Sequence, residues 1–115
     1  MKFPDKDEFL QLFGIEPIEE DPSMALCRYR FNSKSNGLEL DISFSAIQES
    51  FQILLYCGGQ EVVNFVSERT TKMELYRDSS GSGLRVHFEV SGVQAEAIVT
   101  LEPTIKCRWW LIRTE

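Results

Sequence analysis

A single histidine in 115 residues narrows the acid–base chemistry open to this chain. Catalysis of that kind needs a nucleophile, a base and an orienting group within hydrogen-bond reach, and imidazole is the usual base at neutral pH. His87 stands between Arg85 and Glu89 in LRVHFEV, where strict alternation puts these polar side chains on one strand face, so a solvated imidazole is expected. Cys57 precedes Gly58 and Gly59, but a reactive thiolate needs a helix N-terminus or a neighbouring cation to lower its pKa, and neither is arranged there. Gly81, Ser82 and Gly83 would cradle a phosphate only if a helix followed. A strand pattern follows instead, and SSGSG reads as a hairpin loop. Glu16, Glu19, Glu20 and Asp21 lack the alternating oxygen ligands and central glycine of a calcium loop. Cys27, Cys57 and Cys107 are odd in number, with no CxxC pair and no clustered histidine, so neither a disulfide framework nor a zinc site is expected. The thiols read as free, small buried hydrophobes. No catalytic residue, metal or cofactor is expected, and the chain does not read as an enzyme.

Charge is more informative. The net charge is −6, yet residues 1 to 21 hold seven acids against two bases while the rest holds eleven against ten. The excess therefore belongs to the N-terminal segment, and a one-sign field acts chiefly by steering partners of the opposite sign. Two mixed stretches invite a nucleic-acid reading: KCRWWLIR, with Lys106, Arg108 and Arg113 beside Trp110, and the pair Arg28 and Arg30 flanking Tyr29. Aromatic stacking beside cations holds single strands on β surfaces. An acidic whole repels phosphate backbones, so no nucleic-acid partner is expected. The arginines are expected to pair with Glu39 and Asp41, Trp109 to be core and Trp110 to pack beneath the helix.

These residues must be positioned by a chain long enough for one core. With 43% hydrophobic and 26% charged residues it is ordinary globular composition. No signal-peptide core or membrane-length apolar run is present, so a cytoplasmic protein is expected. Only DKDEFLQLF has helical period, with an apolar stripe of Phe9, Leu10, Leu12 and Phe13. Asp5 and Glu8 have the spacing of a capping box and Gly14 supplies the stop, predicting a helix from about Asp5 to Phe13. IEPIEEDPS reads as an exposed connection. From Met24 the period becomes two. RYRF and LELDISFS flank a turn at Asn36 and Gly37, SFQILLY and EVVNFVSE flank Gly58 and Gly59, and Ser91 and Gly92 join LRVHFEV to VQAEAIVTL. The final strand, IKCRWWLIR, puts Ile105, Cys107, Trp109 and Leu111 on its core face. SAIQES at 45 to 50 can take a helical turn. The fold class is mainly β (α+β): a single domain over residues 1 to 115, an antiparallel meander of about seven or eight strands curved into a barrel or sandwich, with one short N-terminal helix.

DEFLQLFGIEP leading into RYRF and LELDISFS, and the close hairpins through to RWWLIRTE, resemble the immunity proteins of bacterial polymorphic toxin and contact-dependent growth inhibition systems. The resemblance implies a protein partner rather than a substrate: a cognate toxin domain, often a nuclease with a basic groove, bound and neutralised by a monomer or weak dimer. Glu16, Glu19, Glu20 and Asp21, with Glu39 and Asp41 from the nearby wet strand face, are the expected partner-binding residues. A small acidic secretion chaperone or adaptor holding a peptide on an exposed strand, and a β-barrel with a ligand cavity, are the competing readings.

Overall fold

The computed structural model describes residues 3–33 and 37–112. The chain opens with α1 (Lys6–Phe13), and its start follows the capping logic. The Glu8 amide donates to Asp5 Oδ1 at 2.9 Å and the Asp5 amide to Glu8 Oε2 at 2.8 Å, satisfying donors that a helix N-terminus leaves free. Gly14 ends the helix at φ 68°, its N–H reaching Leu10 O. Of the apolar stripe, Phe9 alone is fully buried, and Leu10 faces out.

Among the described residues nine strands follow: β1 (Glu19–Asp21), β2 (Leu26–Asn32), β3 (Leu38–Ser45), β4 (Ser50–Cys57), β5 (Gln60–Ser67), β6 (Thr70–Asp78), β7 (Gly81–Val90), β8 (Val93–Glu102) and β9 (Lys106–Leu111). They form two antiparallel meanders in sequence order, β1 to β5 and β6 to β9. The sheets do not close into a barrel; they face one another as a sandwich. The crossover is short, and it is tied down where the Thr70 amide donates to Glu49 O at 2.7 Å and Glu89 N to Arg69 O at 3.0 Å.

Alternation decides which side chains enter the core. Tyr29, Leu40, Ile42, Phe44, Phe51 and Ile53 from the first sheet meet Met73, Leu84, Val86, Phe88, Ala97 and Val99 from the second. Phe9 closes one end, stacked 3.9 Å from Tyr29 and 5.9 Å from Phe44. Phe88 stands edge-on to both Phe51 (5.8 Å) and Phe65 (5.4 Å), locking sheet to sheet. The Tyr29 hydroxyl is buried without a hydrogen-bond partner among the described residues. Burial above all, then the nearby Cys27, Glu20 and Asp5, push its pKa well up.

Several expectations are corrected. IEPIEEDPS is not wholly a connection: Glu19, Glu20 and Asp21 pair with Arg28, Cys27 and Leu26 as β1, and Pro22–Met24 form one turn of 3-10 helix. The segment after Ser45 makes the turn that SAIQES allows and no helix, as expected, with the Ser45 hydroxyl accepting from Gln48 N and donating to Met24 O. SSGSG is not a loop throughout, because β7 already begins at Gly81. A Cβ on Gly83 would lie 2.0 Å from Val99 O, so this glycine serves close backbone approach at a register shift in the β7–β8 ladder. Gly58 and Gly59, at φ 60° and 82°, make the expected two-residue turn, for which positive φ at both central positions is required. Asn36 and Arg113 lie outside the described residues.

The largest correction concerns the far end of the second sheet. Trp109 and Leu111 lie on the interior side of β9, opposite Ala97 and Ala95, yet are 52% and 60% exposed. Val90 and Val93 are open too. Alternation gave the right face, but the facing sheet ends at β5, whose Phe65 reaches Trp109 at 5.1 Å and covers nothing beyond it. Trp110 points to the opposite face and not beneath the helix.

Phe9→Ala should therefore cost about 3–5 kcal/mol in chemical denaturation. Trp109→Ala should cost under about 2 kcal/mol, since half of that ring is already in water.

Candidate functional site

The acids singled out by charge converge on one edge of the first sheet. β1 is the outermost strand, and its pairing with β2 sets Glu19 opposite Arg28 on the outer face while Glu20 turns inward toward α1. Glu20 accepts from Lys6 Nζ at 3.2 Å, and that hydrogen bond, with the attraction of the carboxylate, raises the Lys6 pKa. Asp21 caps the 3-10 turn, accepting from the Ser23 amide at 3.1 Å and from its hydroxyl at 2.6 Å. Glu16 and Glu19 are exposed and have no ion pair among the described residues.

Beside this edge the outer face carries a compact charge network. Asp41 is only 3% exposed and takes Arg28 Nη2 at 2.6 Å and Arg30 Nε at 2.8 Å. Arg30 Nε also reaches Glu39 Oε1 at 2.9 Å. The expected pairing of the arginines with Glu39 and Asp41 is thus present. Burial by itself pushes the Asp41 pKa up; the hydrogen bonds and charges of Arg30 and Arg28 outweigh it, and the carboxyl titrates below its ordinary value. Asp41 is consumed in holding two guanidinium groups and presents little surface of its own, whereas Glu39 stays partly open. Between Glu19 and this network lies a shallow depression of about 400 Å³, floored by Leu26, Ser43, Gln52 and Leu54. It continues into a second of about 540 Å³ toward Ser50 and Glu68.

The structure thus sets Glu19, Glu39 and Asp41 on the outer face of the first sheet and Glu20 on its inner side against α1, and the acids fall into three states: unpaired at Glu16 and Glu19, engaged locally at Glu20 and Asp21, and paired with arginine at Glu39 and Asp41. Sequence reasoning missed Gln52 and Leu54, which line the groove. Their alternation with Phe51 and Ile53 is the signal that could have found them.

The fold is one found in a toxin–immunity complex. A chain of the "Contact-dependent growth inhibition toxin - immunity protein complex from Klebsiella pneumoniae 342" superposes with a TM-score of 0.85 at 19% sequence identity, covering 95% of this chain and 95% of that one. No protein-family description and no curated protein sequence matches.

The remaining chemistry-bearing groups are dispersed. His87 lies on the outer face of the second sheet with Nε2 3.9 Å from Glu74. Among the described residues no cluster of three or more metal-ligating side chains occurs, and no helix is long and apolar enough to cross a membrane. Cys57 is exposed beside its turn, contrary to the expectation of burial, while Cys27 and Cys107 are half-buried. Burial pushes the Cys107 thiol up to about 11.

Two outcomes follow from this geometry. Asp41→Ala should cost about 1–3 kcal/mol, because it strips two partly buried guanidinium groups of their shared acceptor. Since the native pKa of Asp41 lies below its unfolded value of about 3.9, its contribution is complete above that pH and fades as pH falls through the lower native value. Denaturation midpoints from pH 6 downward, for wild type and Asp41→Asn, should show the wild type losing more. In native protein a thiol reagent should label Cys57 first and Cys107 last, read by peptide mass spectrometry; rapid labelling of Cys107 would contradict the register of β9.

Proposed function

We propose that this chain is a non-enzymatic immunity protein that binds and neutralises a cognate protein toxin domain, with the β1 edge as its recognition surface. What carries the reading is the placement of the excess negative charge. Glu19 is exposed and unpaired at the rim of a groove, and Glu16 is exposed and unpaired shortly before it in the chain, on a fold shared with a chain of a toxin–immunity complex. Such a rim suits a basic partner surface, for example the nucleic-acid groove of a nuclease. Opposite fields speed encounter, while desolvated pairs and apolar anchors set the residence time.

In this reading Glu16 and Glu19 steer. Asp41 acts from behind, fixing Arg28 and Arg30 so that the floor of the groove is rigid before the partner arrives and less freedom is lost on binding. Leu26 and Leu54 supply apolar area within the polar rim. The protein works in the compartment where the toxin would act, which for a nuclease is the cytoplasm.

The test is association with the toxin domain of its own system, measured as on-rate against ionic strength. Glu16→Lys combined with Glu19→Lys should leave stability within about 0.5 kcal/mol per site, slow association and flatten its salt dependence. Cells expressing the toxin should be less well protected by the double variant. Equal rates and equal protection for both proteins would remove the β1 edge from the interface.

A further inference from the structure

The four sheet edges are not equally guarded. An open edge is a template for another strand, and folded proteins blunt it with short strands, bulges, prolines or charges. β1 has three residues and runs into Pro22. The β4–β5 ladder shifts register between Leu55 and Tyr56, and the β6–β7 ladder between Thr70 and Lys72. β9 has neither bulge nor proline: its six residues, KCRWWL, pair with β8 in unbroken register, and the only guard they carry is the charge of Lys106 and Arg108.

Two further observations single out β9. Among the described residues, Lys106 and Arg108 are the cations without a carboxylate in salt-bridge range, every other described Lys and Arg having one. The strand also carries Trp109, Trp110 and Leu111, at 52%, 39% and 60% exposure. Trp109 and Leu111 wall an apolar cleft of about 300 Å³ with Phe65, Phe88 and Val90. Contiguous exposed apolar surface of this kind marks an interaction site.

The backbone dictates how a strand could add. Ile112 N donates to Gln94 O at 2.8 Å, so in the antiparallel alternation Trp110, Arg108 and Lys106 bond inward to β8. The N–H and C=O groups of Cys107, Trp109 and Leu111 are left pointing outward. We infer that β9 pairs antiparallel with β9 of a second copy of this chain about a two-fold axis at Trp109, joining two four-stranded sheets into one continuous sheet. This inference does not rest on the toxin-binding reading.

Self-complementarity selects that occupant and that register. With the axis at Trp109, Cys107 meets the partner's Leu111, and all three outward-pointing residues enter the ladder. On the other face Arg108 meets the partner's Trp110, so the unpaired cation lies against an indole ring, a favourable arrangement. Moving the axis to Arg108 would oppose two guanidinium groups, and moving it to Cys107 would set Lys106 against the partner's Arg108. Moving it toward the C-terminus carries the ladder past the end of β9. The contact is isologous, so it closes as a dimer instead of growing into a filament.

Sedimentation of the full chain over rising concentration tests this. Wild type should move from 13.2 kDa toward twice that mass. Leu111→Pro removes an outward N–H and no bond to β8, and Trp109→Lys places a charge on the axis; both should hold the mass at the monomer value with an unchanged far-UV circular dichroism spectrum. If the proline variant fails to fold, the lysine variant alone decides. Val66→Lys, an exposed apolar position on β5, should leave the dimer intact. A wild type that stays monomeric at every concentration, or a dimer that persists in the folded β9 variants, overturns the inference.

Discussion

The two meanders share no strand ladder, and apart from the backbone tie of Thr70 to Glu49 their union depends on side chains. Phe88, set edge-on between Phe51 and Phe65, is where that dependence is greatest, because it joins the second sheet to the last two strands of the first. Face packing is non-directional and scales with apolar area removed from water. It extends only as far as both sheets overlap. Within the overlap Leu84, Val86 and Val99 are sealed; beyond it Trp109 and Leu111, on the same face of the same sheet, are wet. The limit of one sheet's reach thus divides the molecule into a closed end, capped by Phe9, and an open one.

Chemistry is distributed along the same division. At the closed end the helix and β1 bring the N-terminal acids together, and the first sheet's outer face adds a rigid cluster of Asp41, Arg28 and Arg30. At the open end lie the aromatic edge and the unpaired Lys106 and Arg108. A protein with an overall charge of −6 therefore presents two surfaces of opposite character. A partner docked at the acidic rim, as proposed, would leave the aromatic edge free for a different contact.

Much of this was legible in the amino-acid order. Asp5, Glu8 and Gly14 predicted both ends of α1, because capping is a local hydrogen-bond problem solved within a few residues. Glycine pairs and period-two alternation located the hairpins, and opposite charges on neighbouring strands predicted the pairing of Arg28 and Arg30 with Asp41. The errors arose where a residue's fate depends on something distant. Alternation assigned Trp109 to the correct face but carries no information about whether the opposite sheet extends over it. β1 looked like a connection because its three residues are acidic and lie between prolines; its strand character comes from β2 next to it. Gly83 read as loop because the close passage of the Val99 carbonyl is invisible in one dimension. At the candidate site, the acidic composition of the rim was visible, but that Glu20 and Asp21 spend themselves on Lys6 and Ser23 was not.

The meander order has a further consequence, for how the chain reaches this state. Each ladder joins strands adjacent in sequence, so each closes a short loop, and the entropy cost of closure grows with loop length. Pairing can proceed hairpin by hairpin within each sheet at modest cost. The contacts that span many residues are the meeting of the two apolar faces and the docking of Phe9 onto Tyr29 and Phe44. Topology of this kind concentrates the non-local part of folding in one late event, the closure of the sandwich, and leaves strand pairing with the speed of local structure.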